Sequence, residues 1–412
     1  MYILRASGIV QASIALPSSK SISNRVLILN ALSNSPYPIN NLSDSDDCRV
    51  MTDALKFVGK GGKQVIDIGA AGTAMRFLTA YLSGQEGEWT ITGSARMKKR
   101  PIGELVDALK QLGAEIEYLE EENYPPLMIR GKRLKGGRVS IDGGVSSQFI
   151  SALLMIAPLM EDGLELHLTG EIISRTYIRM TCNMMREFGI RIEEKDECIS
   201  IAAQDFTPIP FSVESDWTAA SYWYETIALA EEGSYVHLEG LCRKSLQGDI
   251  KVVELFENLG VYTEYTESGV VLRKRQQDLL PQFEYNFIDE PDLAQTFAVV
   301  CCLLNIPFHF NGLQSLKIKE TNRIFALQQE LKKLGYVLTS KDNSLIWVGE
   351  RQEPEEEPTI ETYEDHRMAM AFAPAALALG KIKINNPEVV NKSYPGYWST
   401  LENCGFKIEK KI

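Results

Sequence analysis

The sequence predicts an α/β protein assembled from six copies of one unit of roughly 70 residues. Three observations carry that prediction. Amphipathic helices end at a glycine and pass directly into a strand at Gly113, Gly189, Gly260, Gly335 and Gly405, and subtracting these positions gives spacings of 76, 71, 75 and 70 residues. A short apolar strand closing on glycine precedes such helices, as in Leu166-His167-Leu168-Thr169-Gly170, Val236-His237-Leu238-Glu239-Gly240 and Phe308-His309-Phe310-Asn311-Gly312. Each unit also carries a second, more apolar helix with a polar or charged start.

The helix ends come first. Leu109-Lys110-Gln111-Leu112-Gly113 and Phe256-Glu257-Asn258-Leu259-Gly260 show the shape, with glycine just past the last turn, free to adopt φ > 0 and release the chain into a strand. Gly59 ends a clipped version and precedes Gly113 by only 54 residues, so the first copy is expected to lack a hairpin. In the preceding strand, His167, His237 and His309 occupy one repeat position. That marks them as structural residues, and their spacing along the chain suits no zinc site.

The second helices are nearly all-apolar, as at residues 149–158 and 372–379, and are expected to be buried. A buried helix leaves its first amides in need of partners. The six starts lie at Lys20–Arg25, Gly72–Arg76, Ser146–Gln148, Asp216–Ser221, Asp292–Gln295 and Asp365–Arg367. Ser, Thr and Asp there are ordinary caps. Lys20, Arg25, Arg76 and Arg367 are not explained by capping in a chain of net charge −12. Two clusters of helix N-termini are expected, and such ends favour anions.

The stretch Leu16-Pro17-Ser18-Ser19-Lys20-Ser21-Ile22-Ser23-Asn24-Arg25 is the densest of these starts, with a helix expected over residues 26–32 behind a serine-rich turn. Further cations lie in the loops Arg96-Met97-Lys98-Lys99-Arg100, Lys317-Ile318-Lys319 and Asn391-Lys392-Ser393. Singly these are solvated charge runs. Together they describe a site for one or two small polyanions. The Pro-broken acidic run at residues 350–358 reads as a solvated surface loop.

The acidic balance excludes a general nucleic-acid or membrane-surface binder. No apolar run reaches the ~20 residues of a membrane span. The N-terminus shows no charged-then-apolar signal pattern. Seven cysteines, without any CxxC spacing, fit a reduced cytoplasmic protein with core thiols.

The ordered set Leu-Pro-x-Ser-Lys-Ser with Ser-Asn-Arg, Ala-Gly-Thr-Ala-Met-Arg, Arg-Met-Lys-x-Arg-Pro-Ile-Gly, Ser-Ser-Gln-Phe, Lys-Glu-Thr-x-Arg and Asp-His-Arg-Met-Ala-Met resembles the enolpyruvyl transferases, from about Leu16 to Pro395. Within them it is most similar to the branch acting on shikimate 3-phosphate. The resemblance implies two similar domains, each of three βαβαββ units (an inside-out α/β barrel), with a substrate cleft that closes. One half is expected at residues 18–214, with a shortened first unit and the shikimate-phosphate side. The other is expected at 1–17 with 215–412, the phosphoenolpyruvate side. The implied reaction moves the enolpyruvyl group of phosphoenolpyruvate onto the 5-hydroxyl of shikimate 3-phosphate and releases phosphate, with no metal or organic cofactor, in a cytoplasmic monomer.

Carried over by motif, Ser146, Ser147 and Ser174 hold the acceptor phosphate. Arg25, Ser21, Asp292 and Lys319 hold its ring hydroxyls and carboxylate, and Tyr177 packs on the ring. Arg100, Arg323, Arg367, Lys392 and Lys20 clamp phosphoenolpyruvate, with Gln148 and the Gly72 backbone beside it. Glu320 is the candidate for proton transfer at the methyl carbon, Asp292 the base for the hydroxyl, and Lys20 the acid. Ser315 stands where the family has Asn near the ring hydroxyls, Ala70 where it has Asn, and Phe77 where Pro follows the arginine. Phe77 is expected just behind the phosphoenolpyruvate loop.

Three rival readings fit the residues less well. A UDP-N-acetylglucosamine enolpyruvyl transferase usually has a reactive Cys in the loop that here runs over residues 96–101, which has none. A silent polyanion-binding repeat protein would not need both Asp292 and Glu320. An RNA-processing relative of the same unit would need a basic stripe.

Overall fold

A computed structural model describes residues 1–6, 8–58, 63–276 and 280–411. Gly59, the expected end of the clipped first helix, lies outside the described residues. The chain forms two compact units, Ser18–Val213 and Met1–Pro17 with Glu214–Ile412. The boundary lies one residue before the expected one, which places Glu214 in the first half. Its carboxylate accepts from the Leu246 amide at 3.0 Å and from Gln247 Nε2 at 3.0 Å, which fixes it in the second unit.

The repeat is visible in the sheets. In the Ser18–Val213 unit, strand Lys63–Asp67 runs parallel to Gly87–Thr92, which pairs antiparallel with Leu127–Gly131, itself antiparallel to Glu115–Tyr118. A helix follows each of the first two strands, Gly72–Ser83 and Gly103–Gln111. The same order returns in strands Gly137–Asp142, Leu164–Thr169, Glu193–Lys195 and Cys198–Ile201. The first copy has only Ile39–Asn40 and Phe211–Ser212, paired in parallel, with no hairpin behind helix Asp46–Phe57 among the described residues. Among its described residues the other unit holds three four-stranded sheets, one of which places Tyr2–Arg5 between Lys381–Ile384 and Lys407–Lys410. All the sheets are open, and none closes into a barrel among the described residues.

The apolar helices form the inside of each unit. Lys20–Leu32, Gly72–Ser83 and Ser147–Ile156 pack against one another in one unit, and Trp217–Leu229, Ala294–Leu303 and His366–Phe372 do so in the other. Every residue of Gly72–Ser83 is buried, its few polar side chains included. The helix-ending glycines at 113, 189, 260, 335 and 405 have φ of 103°, 83°, 81°, 89° and 95°, a region open to glycine at no steric cost. No helix among the described residues is long and apolar enough to cross a membrane.

One expected boundary is wrong in an instructive way. The first apolar helix starts at Lys20, not at residue 26. Ser19 is its cap, accepting from the Ile22 amide, and nothing in residues 20–25 opposes helix. Lys20, Ser21 and Arg25 therefore ride on the first two turns of a buried helix, where their Cα positions are fixed.

Candidate active site

In the Met1–Pro17 and Glu214–Ile412 unit a charge network joins the starts of helices Ala294–Leu303, Arg323–Lys333 and His366–Phe372. Asp292 Oδ2 accepts from Arg367 Nη2 at 2.7 Å, and Asp292 Oδ1 accepts from Arg323 Nη1 at 3.1 Å. Lys319 Nζ lies 3.8 Å from the same Oδ1. Glu320 bridges Arg323 Nη2 at 3.0 Å and Lys392 Nζ at 2.9 Å. Asp365 holds Arg323 through its Nε at 2.7 Å and also accepts from the Arg367 amide at 2.9 Å. One carboxylate thus caps a helix and orients the central arginine. Tyr222 OH meets Arg367 Nη1 at 3.4 Å.

Burial sets the electrostatics. Arg323 is 1% exposed. Burial pulls its proton affinity down, but Asp365, Glu320 and Asp292 outweigh that and raise it overall. Burial lowers the Lys319 ammonium below its ordinary range, with Asp292 opposing. Asp249, bonded by the Thr218 hydroxyl, is pushed up to about 7, by burial first and then by Asp292. Ser315 Oγ is buried without a hydrogen-bond partner in the unit that carries Asp292.

In the Ser18–Val213 unit a second group forms. Arg25 is fixed by four hydrogen bonds, to Thr181 Oγ1 at 2.7 Å, Ser21 O at 2.9 Å, Ser151 Oγ at 3.3 Å and Tyr177 O at 3.4 Å. Burial lowers it to about 10. Its guanidinium carbon sits 5.4 Å from the Phe77 ring centre and 5.9 Å from that of Tyr177. Phe77 therefore lies against Arg25 as well as on the helix that Gly72 begins. Lys20 pairs with Asp47 at 3.5 Å. Gln148 Nε2 donates to Thr73 Oγ1 at 3.1 Å, joining two helix starts.

The serines divide by role. Ser146 accepts from the Gln148 amide at 3.3 Å, a cap. Ser147 opens the same helix and is buried. Ser174 precedes helix Arg175–Glu187 with φ 55° and makes no cap bond. A buried non-glycine residue held in this region is a strained position of the kind found at functional sites. Gly72 lies under Arg100, and a Cβ there would sit 2.5 Å from Arg100 Nη1. Arg76, singled out with the anion-binding cations, instead donates to the backbone carbonyls of Gly72 at 3.0 Å and Pro101 at 3.4 Å. It ties the basic loop to the helix.

The structure brings Asp292, Glu320, Lys319, Arg323, Arg367 and Lys392 into one network. Lys20, Ser21, Arg25, Gly72, Arg100, Ser146, Ser147, Gln148, Ser174 and Tyr177 lie in the other unit. Sequence reasoning missed Asp365 as the holder of Arg323, though Asp-His-Arg had been noted as a helix start. It also missed Asp47, Thr181, Ser151, Tyr222 and Asp249, none of which stands in a distinctive pattern.

Buried arginines holding carboxylates that an arriving anion would displace make a place where anion binding and proton transfer are coupled. Comparisons with known proteins bear on which anion. The family model described as EPSP synthase (3-phosphoshikimate 1-carboxyvinyltransferase) matches residues 4–61 and 59–401. A protein of Bacteroides fragilis (strain YCH46) named 3-phosphoshikimate 1-carboxyvinyltransferase is 54% identical over 410 residues, 99% of this chain and 98% of that one. One of the same name from Photobacterium damsela subsp. piscicida is 37% identical over 424 residues, 97% of this chain and 98% of that one. A solved EPSP synthase from Acinetobacter baumannii has a TM-score of 0.78 at 21% identity, covering 99% of this chain and 100% of that one, a likeness of fold.

Proposed function

The chain belongs to the EPSP synthase (3-phosphoshikimate 1-carboxyvinyltransferase) family, and from that premise we propose that it transfers the enolpyruvyl group of phosphoenolpyruvate to the 5-hydroxyl of shikimate 3-phosphate, releasing phosphate. The observation that carries this reading is the alternation of Asp292 and Glu320 with Arg323, Arg367 and Lys392. A site built only to bind anions gains nothing from carboxylates placed on its arginines. A site that must also move protons needs them.

The donor's phosphate and carboxylate compete with Asp292 and Glu320 for the cations. Binding therefore loosens both carboxylates from their ion pairs and raises their basicity as the reaction begins. Asp292 takes the proton of the 5-hydroxyl, whose oxygen bonds to C2 of phosphoenolpyruvate. Lys20 supplies a proton to the methylene carbon, giving a tetrahedral intermediate. Glu320 removes a proton from the new methyl group, the double bond reforms and phosphate leaves with the C–O electron pair. Arg100, Arg323, Arg367 and Lys392 balance the donor's charge. Ser146, Ser147 and Ser174 bind the acceptor phosphate, Gln148 lies between it and the donor, Ser21, Arg25, Ser315 and Lys319 bind the ring oxygens and carboxylate, and Tyr177 packs on the ring. On the same reading the enzyme works as a cytoplasmic monomer in aromatic amino acid biosynthesis.

The test is phosphate release from phosphoenolpyruvate with shikimate 3-phosphate and, separately, with UDP-N-acetylglucosamine. Turnover with the first alone is expected. Turnover with the second alone overturns the acceptor assignment, and silence with both from folded protein overturns the reaction.

A further inference from the structure

We propose a divalent metal site of the zinc class on the outward face of the sheet that contains Leu164–Thr169, with Cys198 Sγ, His167 Nε2 and Glu165 Oε1 as ligands and water in the fourth position. Strand pairing creates it. His167 stands directly opposite Cys198, and Glu165, two residues before His167, points to the same face. The three donor atoms all lie within 4.8 Å of one another. Sγ is 3.7 Å from Nε2, and Nε2 is 2.6 Å from Oε1.

The sulfur–nitrogen separation suits a tetrahedral ion. With Zn–S about 2.3 Å and Zn–N about 2.0 Å, sulfur and nitrogen stand about 3.5 Å apart around the metal. The nitrogen–oxygen pair is now a hydrogen bond and needs to open to about 3.3 Å. Glu165 is exposed and turns easily. Arg138 Nε lies 3.6 Å from the same Oε1, but its side chain is 69% exposed and free to swing aside. Ser200 Oγ, 3.7 Å from Cys198 Sγ on the same face, is placed to support a thiolate.

The repeat supplies its own control. His237 and His309 hold the equivalent positions in two other copies, where the residues opposite are Val271 and Ile346. His237 is occupied by hydroxyls, Ser13 and Ser268, each at 3.1 Å. Among the described residues, only the third copy sets a thiol and a carboxylate beside the ring. The 31 residues between His167 and Cys198 resemble no zinc motif, so the pair leaves no mark in the sequence.

The experiment is a Co2+ titration of the reduced full-length protein, read by the near-ultraviolet thiolate-to-cobalt charge-transfer band, with Zn2+ competition. One equivalent is expected to develop the band and Zn2+ to abolish it. Cys198→Ser should remove the band, and His167→Gln should weaken binding at least about tenfold. Cys242→Ser, which alters the exposed thiol elsewhere, should leave it unchanged. No band at saturating Co2+, a band surviving in Cys198→Ser, or one lost in Cys242→Ser overturns the site. All three substitutions lie outside the buried cores, and circular dichroism verifies the fold of each.

Discussion

Replacing Asp292 by Asn separates what this carboxylate does for the fold from what it does for the reaction. Its two oxygens hold Arg323 at 3.1 Å and Arg367 at 2.7 Å, with Lys319 a further 3.8 Å contact. Both arginines are buried. Removing one member of a buried pair costs about 3–5 kcal/mol, because the remaining charge stays desolvated. Asn keeps the shape and one acceptor but turns an NH2 towards a guanidinium, so the lower end, about 3 kcal/mol, applies. For a unit of this size that lowers Tm by about 6–12 °C. Arg323 retains Asp365 and Glu320, so the protein stays folded at room temperature. Loss of the base should lower kcat by about 10²–10⁴. The two effects are told apart by calorimetry and by phosphate release well below Tm. Inorganic phosphate should raise the Tm of the variant more than that of the wild type, since the anion replaces the missing charge. Near-normal kcat from folded variant removes Asp292 from proton transfer. An unchanged Tm refutes the buried-charge argument.

Other outcomes follow from the same geometry. Glu320→Gln should cut kcat by orders of magnitude with a smaller loss of stability, because Arg323 keeps two carboxylates; steady-state kinetics and melting check this together. Gly72→Ala should keep the fold but raise KM for phosphoenolpyruvate about tenfold or more, since the new Cβ strikes only the flexible end of Arg100; an unchanged KM would mean that Arg100 does not bind the donor. Asp249 titrates near 3.8 when unfolded and at about 7 when folded, so the folded state holds an extra proton between those values. Stability is therefore fullest below pH 4 in this respect and falls as pH rises to about 7, by up to about 4 kcal/mol. Asp249→Asn, always neutral, should flatten denaturant-measured stability across that window; an unaltered slope would assign it to other groups.

The repeat was legible because glycine at a helix end obeys a local steric rule, and a local rule leaves a mark at fixed spacing. The charged residues were legible because Lys and Arg at buried helix starts violate the ordinary composition of such places. Partners were not. Thr181 and Ser151 hold Arg25 from helices 156 and 126 residues away, and no spacing announces that. Asp249 reads as one acidic residue among 55 until packing removes its water. The early start of the first apolar helix was misread because a serine-rich turn and a serine cap have the same composition. For His167, repeat position explains where it is, and only the facing strand explains what it meets.

The strand Tyr2–Arg5 has a consequence for the order of synthesis. Tyr2 pairs with Ile384 on one side and Lys410 on the other, at the centre of its sheet. Gln11–Ala15 waits likewise for Tyr235–Glu239. The Ser18–Val213 unit is one continuous run and has all its strands once residue 213 has left the ribosome. Tyr2–Arg5 then hangs as an unpaired strand with two open edges until the last sheet is made. Throughout that interval the nascent chain carries unpaired strand edges, and slow translation lengthens their exposure to aggregation.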